Sequence, residues 1–221
     1  MQAGELAHVM QGITEDHLNT FGISVDTLKA EGKIWVIGWN SIEINRMPKL
    51  GEVLQIRIWP CKKKSNMYVR KYTFYAANGE PLVSAASFFL LMDSVSRSLA
   101  DASEKMQNIP IVVVPGEPAA PRLILPFPKE LLEQKKRVVQ PEEIDFNGHL
   151  NNARYLNWAE ELLKEVEGES VRLKNIWIQY LAELLEGEEV TMRYTCEDQV
   201  FYIKGYAGDK ESFSVRMEYE K

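Results

Sequence analysis

Residues 148–153, Gly148-His149-Leu150-Asn151-Asn152-Ala153, open a helical pattern that runs to about Val166, and they have a counterpart at the start of the chain. There Gly4-Glu5-Leu6-Ala7-His8-Val9 leads into another helical pattern through about Leu18. In the later copy Leu150, Ala153, Tyr155, Leu156, Ala159, Leu162, Leu163 and Val166 recur at steps of three and four, the spacing that lines one face of a helix.

Strand patterns follow each helix. The first half offers Ile34 to Gly38, Ile42 to Asn45 and Val53 to Trp59, the second Lys174 to Tyr180 and Glu189 to Thr195. Gly51-Glu52-Val53 and Gly187-Glu188-Glu189-Val190 introduce a strand in both. Each half then closes on a hairpin: Val69 to Ala77 turns at Asn78-Gly79 into Leu82 to Leu91, and Val200 to Tyr206 turns near Gly208-Asp209 into Phe213 to Tyr219. Asn-Gly is a strong hairpin signal because both turn positions need a positive φ. The chain therefore reads as one unit used twice, a helix followed by antiparallel strands. A sheet with one apolar face must cover it, and one helix laid across each sheet does so. That is an α+β hotdog fold in duplicate, two antiparallel sheets each wrapped on a central helix.

Six of the ten prolines fall between residues 110 and 128, a density that neither a helix nor a central strand survives. The organisation expected is an N-terminal hotdog over 1–100, a Pro-rich linker over 101–130 and a C-terminal hotdog over 131–221. The second helix has a leading strand, Lys135 to Gln140. The first begins within a few residues of Met1, so the first copy reads as lacking that strand, either by truncation or because this sheet edge is built differently.

Composition narrows the function. The 221 residues are 45% hydrophobic and 26% charged, an ordinary globular balance, and the net charge of -6 argues against a nucleic-acid binder. No stretch approaches the ~20 apolar residues of a membrane span, and the N-terminus has no signal-peptide pattern. Cys61 and Cys196 form neither a disulfide framework nor a zinc pattern. A cytoplasmic protein without metal or cofactor is expected. The basic runs Lys62-Lys63-Lys64 and Lys135-Lys136-Arg137 read as solvated faces or as docking patches for an acidic partner.

The copies differ at the helix mouth. Asp145-Phe146-Asn147-Gly148-His149 places a carboxylate, an amide and an imidazole before the second helix, where Gly4-Glu5-Leu6-Ala7-His8 occupies the place in the first. His titrates near neutral pH and can take a proton from water. Asn147 can orient a carbonyl or a water, Asp145 can stabilise the imidazolium or activate water, and the N–H groups around Leu150 and Asn151 can polarise a carbonyl. Helix capping and an Asn-Gly turn account equally for Asp145, Asn147, Gly148 and Asn151, though not for His149. Glu183, closing the strand-like run Ile176 to Glu183, can face the helix mouth and position or activate water.

The run from Asp145 to Trp158, with Tyr180-Leu181-Ala182-Glu183, resembles the acyl-ACP thioesterase family, the fatty-acyl carrier-protein hydrolases of bacteria and plant plastids. Trp35-Val36-Ile37, Pro48, Gly51-Glu52, Trp59-Pro60, Arg70 and Ser87 extend the likeness to the first half. The resemblance implies tandem hotdogs and hydrolysis of the thioester between a fatty acyl chain and phosphopantetheine on acyl carrier protein. It puts the catalytic roles on Asp145, Asn147, His149 and Glu183. Where plant members have a Cys just after that Glu, this chain has Leu184, which removes a thiol nucleophile. Water activated by a carboxylate or His149, or an acyl-anhydride on Asp145, are the routes left.

The resemblance also implies that the first half holds the acyl chain, with Met10, Ile13, Trp35, Ile37 and Met47 as candidates, while Asn151 or Asn152 contacts pantetheine. Arg122, Arg154 and the basic runs are candidates for docking the acidic carrier protein. A monomer or a homodimer serves, since tandem units supply the pairing that single hotdogs get by dimerising. The competing readings are an acyl-CoA hydrolase, a hotdog dehydratase and a non-catalytic acyl-binding module.

Overall fold

A computed structural model describes residues 1–64, 66–115 and 126–221. The first half runs α1 (Ala3–Asn19), α2 (Val25–Ala30), β1 (Lys33–Ile44), β2 (Leu54–Lys64), β3 (Met67–Ala76) and β4 (Pro81–Asp93). After α3 (Glu104–Gln107), the second runs β5 (Glu133–Val138), α4 (Asn152–Glu167), β6 (Arg172–Tyr180), β7 (Glu189–Glu197), β8 (Val200–Ala207) and β9 (Lys210–Glu220). The α+β double hotdog expected from the duplication is the fold found.

The two expected sheets are halves of one. Nine antiparallel strands lie in the order β2-β3-β4-β1-β6-β9-β8-β7-β5. The halves join where β1 pairs with β6, Asn40 opposite Ile178 and Ile42 opposite Ile176. Had the sheets stayed apart, β1 and β6 would each have been an edge with unpaired N–H and C=O groups; pairing them removes both edges. The segments read as two strands, Ile34 to Gly38 and Ile42 to Asn45, are one strand with an irregularity between Ile37 and Trp39.

The sheet packs against α1 and α4 in a shared core. One continuous core takes Leu6 and Met10 from α1, Leu156, Ala159 and Leu163 from α4, and Ile42, Phe74, Ile176, Ile178 and Phe213 from the strands. The two helices are joined at close range. The Ala3 N–H, an orphan donor of the first turn, reaches the buried Glu160 carboxylate at 2.7 Å. A side chain at Gly4 would run into Asn157 and the Ala153 carbonyl. This corrects the sequence correspondence at the helix mouths. Gly4 lies inside α1, where its missing Cβ lets α4 approach, whereas Gly148 lies in a turn ahead of α4 with φ +83°.

β5 pairs along the outer side of β7. Among the described residues no strand precedes α1, and β2 forms the other edge. Pro60, which has no N–H to donate, sits in that edge strand, and its carbonyl accepts from the Val112 N–H at 3.0 Å. The Pro-rich span is packed at both ends. Met106 of α3 is buried with Leu18, Ile23, Leu28 and Leu91. Phe127 lies against Trp177 and Tyr202, with ring centroids 6.2 and 5.5 Å away. Trp177 alternates with Ile176 and Ile178, so this contact is on the sheet face opposite the core. No helix among the described residues is long and apolar enough to cross a membrane.

Candidate active site

A 3-10 turn, Pro141–Glu143, delivers the chain to the mouth of α4. Glu143 anchors it. Its buried carboxylate accepts from Trp158 Nε1 at 2.7 Å and from Arg137 Nη2 at 3.1 Å, and its second oxygen takes the Gln140 N–H. Residues 144–150 then form a closed loop. Asp145 N–H donates to the His149 carbonyl at 2.8 Å, and Gly148 N–H to the Asp145 carbonyl at 3.0 Å. Asp145 Oδ1 accepts from Asn147 N–H at 2.8 Å and His149 N–H at 3.4 Å. The carboxylate therefore shapes the turn that presents His149, as the capping reading anticipated.

Capping also governs Asn151, whose Oδ1 accepts from Ala153 N–H at 2.9 Å as the N-cap of α4. The oxyanion donors expected around Leu150 and Asn151 are engaged elsewhere. Leu150 N–H is bound to the Leu184 carbonyl at 2.8 Å, and Asn151 N–H to the Glu143 carbonyl at 2.9 Å. An N–H already paired inside the protein cannot polarise a substrate. The first N–H within the helix, that of Asn152, meets no acceptor among the described residues.

Glu183 stands three residues beyond the end of β6, not in the strand itself. Leu181 and Ala182 N–H both bind the Ser212 carbonyl and fix this segment against β9. Glu183 Oε2 lies 3.2 Å from His149 Nε2. The sequence had not singled out the group on its other side. Arg97, from the turn after β4, brings Nη1 to 3.0 Å of Oε1 and Nη2 to 3.2 Å of Oε2. Leu184 is fully buried, so the position taken by Cys in plant members faces the core here.

These groups open on a cavity of about 1170 Å³. Asp145, Asn147, His149, Asn152 and Glu183 line one end. One face of α1 lines another wall with Ala7, Gln11, Thr14 and Leu18, four residues or three apart. Ile23, Leu28, Trp35, Ile37 and Phe89 complete it. Trp35 stacks on Phe89 with centroids 5.2 Å apart. Of the apolar candidates, Trp35 and Ile37 line this cavity. Met10 is in the main core, Met47 packs against that core, and neither they nor Ile13 lines it. Asn151 and Arg154 are likewise outside its walls.

A polar chain, buried at Ser87 and Asn40 and half-buried at Tyr180, ties the first half to the mouth of α4. Ser87 Oγ donates to Asn40 Oδ1 at 2.6 Å, Asn40 Nδ2 approaches Tyr180 Oη at 3.4 Å, and Tyr180 Oη donates to the Asn152 carbonyl at 3.1 Å. Burial holds the Tyr180 phenol well above its ordinary range, so it stays a donor. Deeper in the first half Arg70, almost wholly buried, meets His17 Nδ1 at 2.6 Å. Burial and then the Arg70 charge lower the His17 pKa. Among the docking candidates, Lys135 pairs with Glu165, Lys136 with Glu189, and Arg137 with Glu143 and Glu161. That run is therefore neutralised. Arg122 lies outside the described residues.

By its topology the molecule is a double-hotdog protein with one decorated helix mouth. The same fold spans an acyl-ACP thioesterase from Bacteroides thetaiotaomicron (TM-score 0.86, 18% identity, all of this chain and 90% of that one). It also spans a 12:0-ACP thioesterase from Umbellularia californica (TM-score 0.85, 17% identity, all of this chain and 90% of that one). Residues 1–109 match the acyl-ACP thioesterase N-terminal domain and residues 128–220 the acyl-ACP thioesterase C-terminal domain. The chain belongs to the acyl-ACP thioesterase family. It is 25% identical over 215 residues to oleoyl-acyl carrier protein thioesterase 2, chloroplastic, of Arabidopsis thaliana, covering 87% of this chain and 57% of that protein. The chain thus spans under two thirds of the length of that curated relative.

Proposed function

We propose that this chain hydrolyses fatty acyl thioesters carried on the phosphopantetheine of acyl carrier protein, releasing the fatty acid and the free carrier thiol. The observation that carries this reading is the His149–Glu183 pair at the mouth of a large cavity whose inner wall is built from Leu18, Ile23, Leu28, Trp35 and Phe89. An acyl chain threaded past His149 removes apolar surface from water along that wall, and its thioester carbonyl then stops at the polar end.

In this mechanism His149 takes a proton from a water that attacks the thioester carbonyl, and Glu183 stabilises the imidazolium. Asn147 and Asn152 orient the substrate, and the Asn152 N–H is the donor for the developing oxyanion. The tetrahedral intermediate collapses with loss of the thiolate, which recovers the proton from His149. Asp145 Oδ1 is engaged by two N–H groups of its own turn, which blunts it as a nucleophile and favours direct water attack over an acyl-anhydride. The first half, residues 1–100, serves as the acyl-binding unit and residues 131–221 as the catalytic one. Carrier protein docks by charge, with Arg154 and Lys29, which is exposed and lines the cavity, as contacts. The proposed setting is the cytoplasm, with the protein acting as a monomer or homodimer.

The test is turnover of an acyl-ACP panel from C8 to C18 beside matched acyl-CoA thioesters, for wild type and His149→Ala. Release of fatty acid from acyl-ACP, with a fall of about 100-fold or more in kcat for the variant, is expected. Equal turnover by His149→Ala overturns the mechanism, and a higher kcat/KM on acyl-CoA overturns the assigned carrier.

A further inference from the structure

Glu183 is contacted from two sides. Both of its oxygens face the guanidinium of Arg97, 3.0 and 3.2 Å away, in the two-pronged geometry that fixes a carboxylate in a plane. Oε2 also faces His149 Nε2 at 3.2 Å. Arg97 comes from the other half of the chain, 86 residues earlier, and the turn that carries it is built in detail. Asp93 Oδ1 accepts from Val95 N–H at 3.0 Å, Ser96 N–H at 2.7 Å and Ser96 Oγ at 2.9 Å. Arg97 N–H closes onto the Asp93 carbonyl at 3.1 Å, and Met92 and Leu99 bridge beneath the turn. Arg97 itself has φ +56°, a conformation that residues other than glycine seldom adopt and that clusters where function fixes the backbone.

We infer that Arg97 is a positioning residue for the hydrolysis: it holds Glu183 in one orientation, so that Glu183 in turn holds the His149 ring. An exposed ion pair contributes little to stability, and Arg97 and Glu183 are 47% and 45% exposed, so folding alone gives this pair little reason to exist. Its geometric consequence is larger. A carboxylate gripped on both oxygens by a guanidinium is held in one plane, which makes Glu183 the orienting partner of the His149 ring. The first half thereby contributes to the chemistry as well as to binding. Asp145 and Glu188, also at this end of the cavity, make no hydrogen bond or ion pair with the His149 ring among the described residues.

This inference rests on the hydrolase reading, and its test separates the two. Arg97→Ala is expected to lower kcat about 10- to 100-fold, the scale of a misplaced catalytic group, with KM changed by less than about twofold. Arg97→Lys, which keeps the charge without the fork, is expected to recover part of that loss. Added guanidinium ion is expected to rescue Arg97→Ala and not Glu183→Gln. Arg97→Ala combined with Glu183→Gln is expected to be no slower than Glu183→Gln alone. Additive losses, or a loss in KM with kcat intact, overturn the inference. A second measurement needs no turnover. Imidazole nitrogen NMR on the substrate-free protein, which has three histidines, is expected to show His149 held as the Nε2–H tautomer in wild type and released to a mixture in Arg97→Ala. An unchanged tautomer overturns the role of Arg97. A wild type that cleaves no thioester overturns the hydrolase reading and leaves the tautomer to decide Arg97.

Discussion

His149 Nε2 and Glu183 Oε2 stand 3.2 Å apart, joining the mouth of α4 to the loop that leaves β6. The contact depends on Leu150 N–H binding the Leu184 carbonyl one residue further along each segment, so the backbone sets the distance before the side chains meet.

Glu183→Gln keeps the size of the side chain and removes the charge that stabilises an imidazolium. Kcat is expected to fall by roughly 100- to 10,000-fold, while the melting temperature changes little because the Glu183 carboxylate is 45% exposed. Steady-state kinetics beside a thermal melt checks both halves; a variant of wild-type kcat counts against the pair.

Glu143→Ala acts on the anchor rather than the chemistry. It strands Trp158 Nε1 and one side of Arg137, both now bound to a carboxylate that is 7% exposed. Hydrogen bonds to charged groups are worth about 1.5–3 kcal/mol each, so a loss of about 3 kcal/mol or more is expected in urea unfolding. Activity falls with it as the turn holding Asp145 loosens.

Gly4→Val tests the helix crossing. Any side chain there meets Asn157 and the Ala153 carbonyl, and forcing atoms into a packed contact costs about 1–3 kcal/mol. The outcome expected is a lower urea midpoint at unchanged m-value, since the unfolded chain is not altered in compactness.

His17 makes stability depend on pH. Its folded pKa lies below the ordinary value of 6.5, through burial and the Arg70 guanidinium beside it. The unfolded chain therefore binds the proton more readily, so stability rises with pH across the interval between the two pKa values. This contribution is complete above about pH 7 and is lost as pH falls through 6.5 towards the folded value. His17→Gln is expected to flatten that limb of a stability-against-pH curve, and a limb unchanged in the variant would assign it to other groups.

Much of the fold was legible because it rests on local repetition. The three- and four-residue steps of Leu150, Ala153, Leu156 and Leu163 place α4, and Asn78-Gly79 places the β3–β4 hairpin. The six-residue α2 is too short for a periodic pattern, although Ser24 and Thr27 cap its start. The register between the copies at Gly4 and Gly148 is not legible, since a glycine inside a helix and one in a turn look alike until their neighbours are known. Asp145, Asn147, His149 and Asn152 stand out in the sequence as polar groups around one helix start and Glu183 as the end of a strand-like run, and all line the cavity. Met10, Ile13 and Met47 are apolar like Trp35 and Ile37, but the side of the sheet or helix they face is decided by packing.

The sequence alone determined the elements, their duplication and the polar turn before the second helix, because period, capping and turn chemistry act over a few residues. Only the tertiary structure decided that two sheets are one, since that depends on which edges find each other. It decided too which N–H groups at the helix mouth remain open. It also brought Arg97 of one half against Glu183 of the other, because a contact across 86 residues exists only after the β1–β6 seam has aligned the two halves.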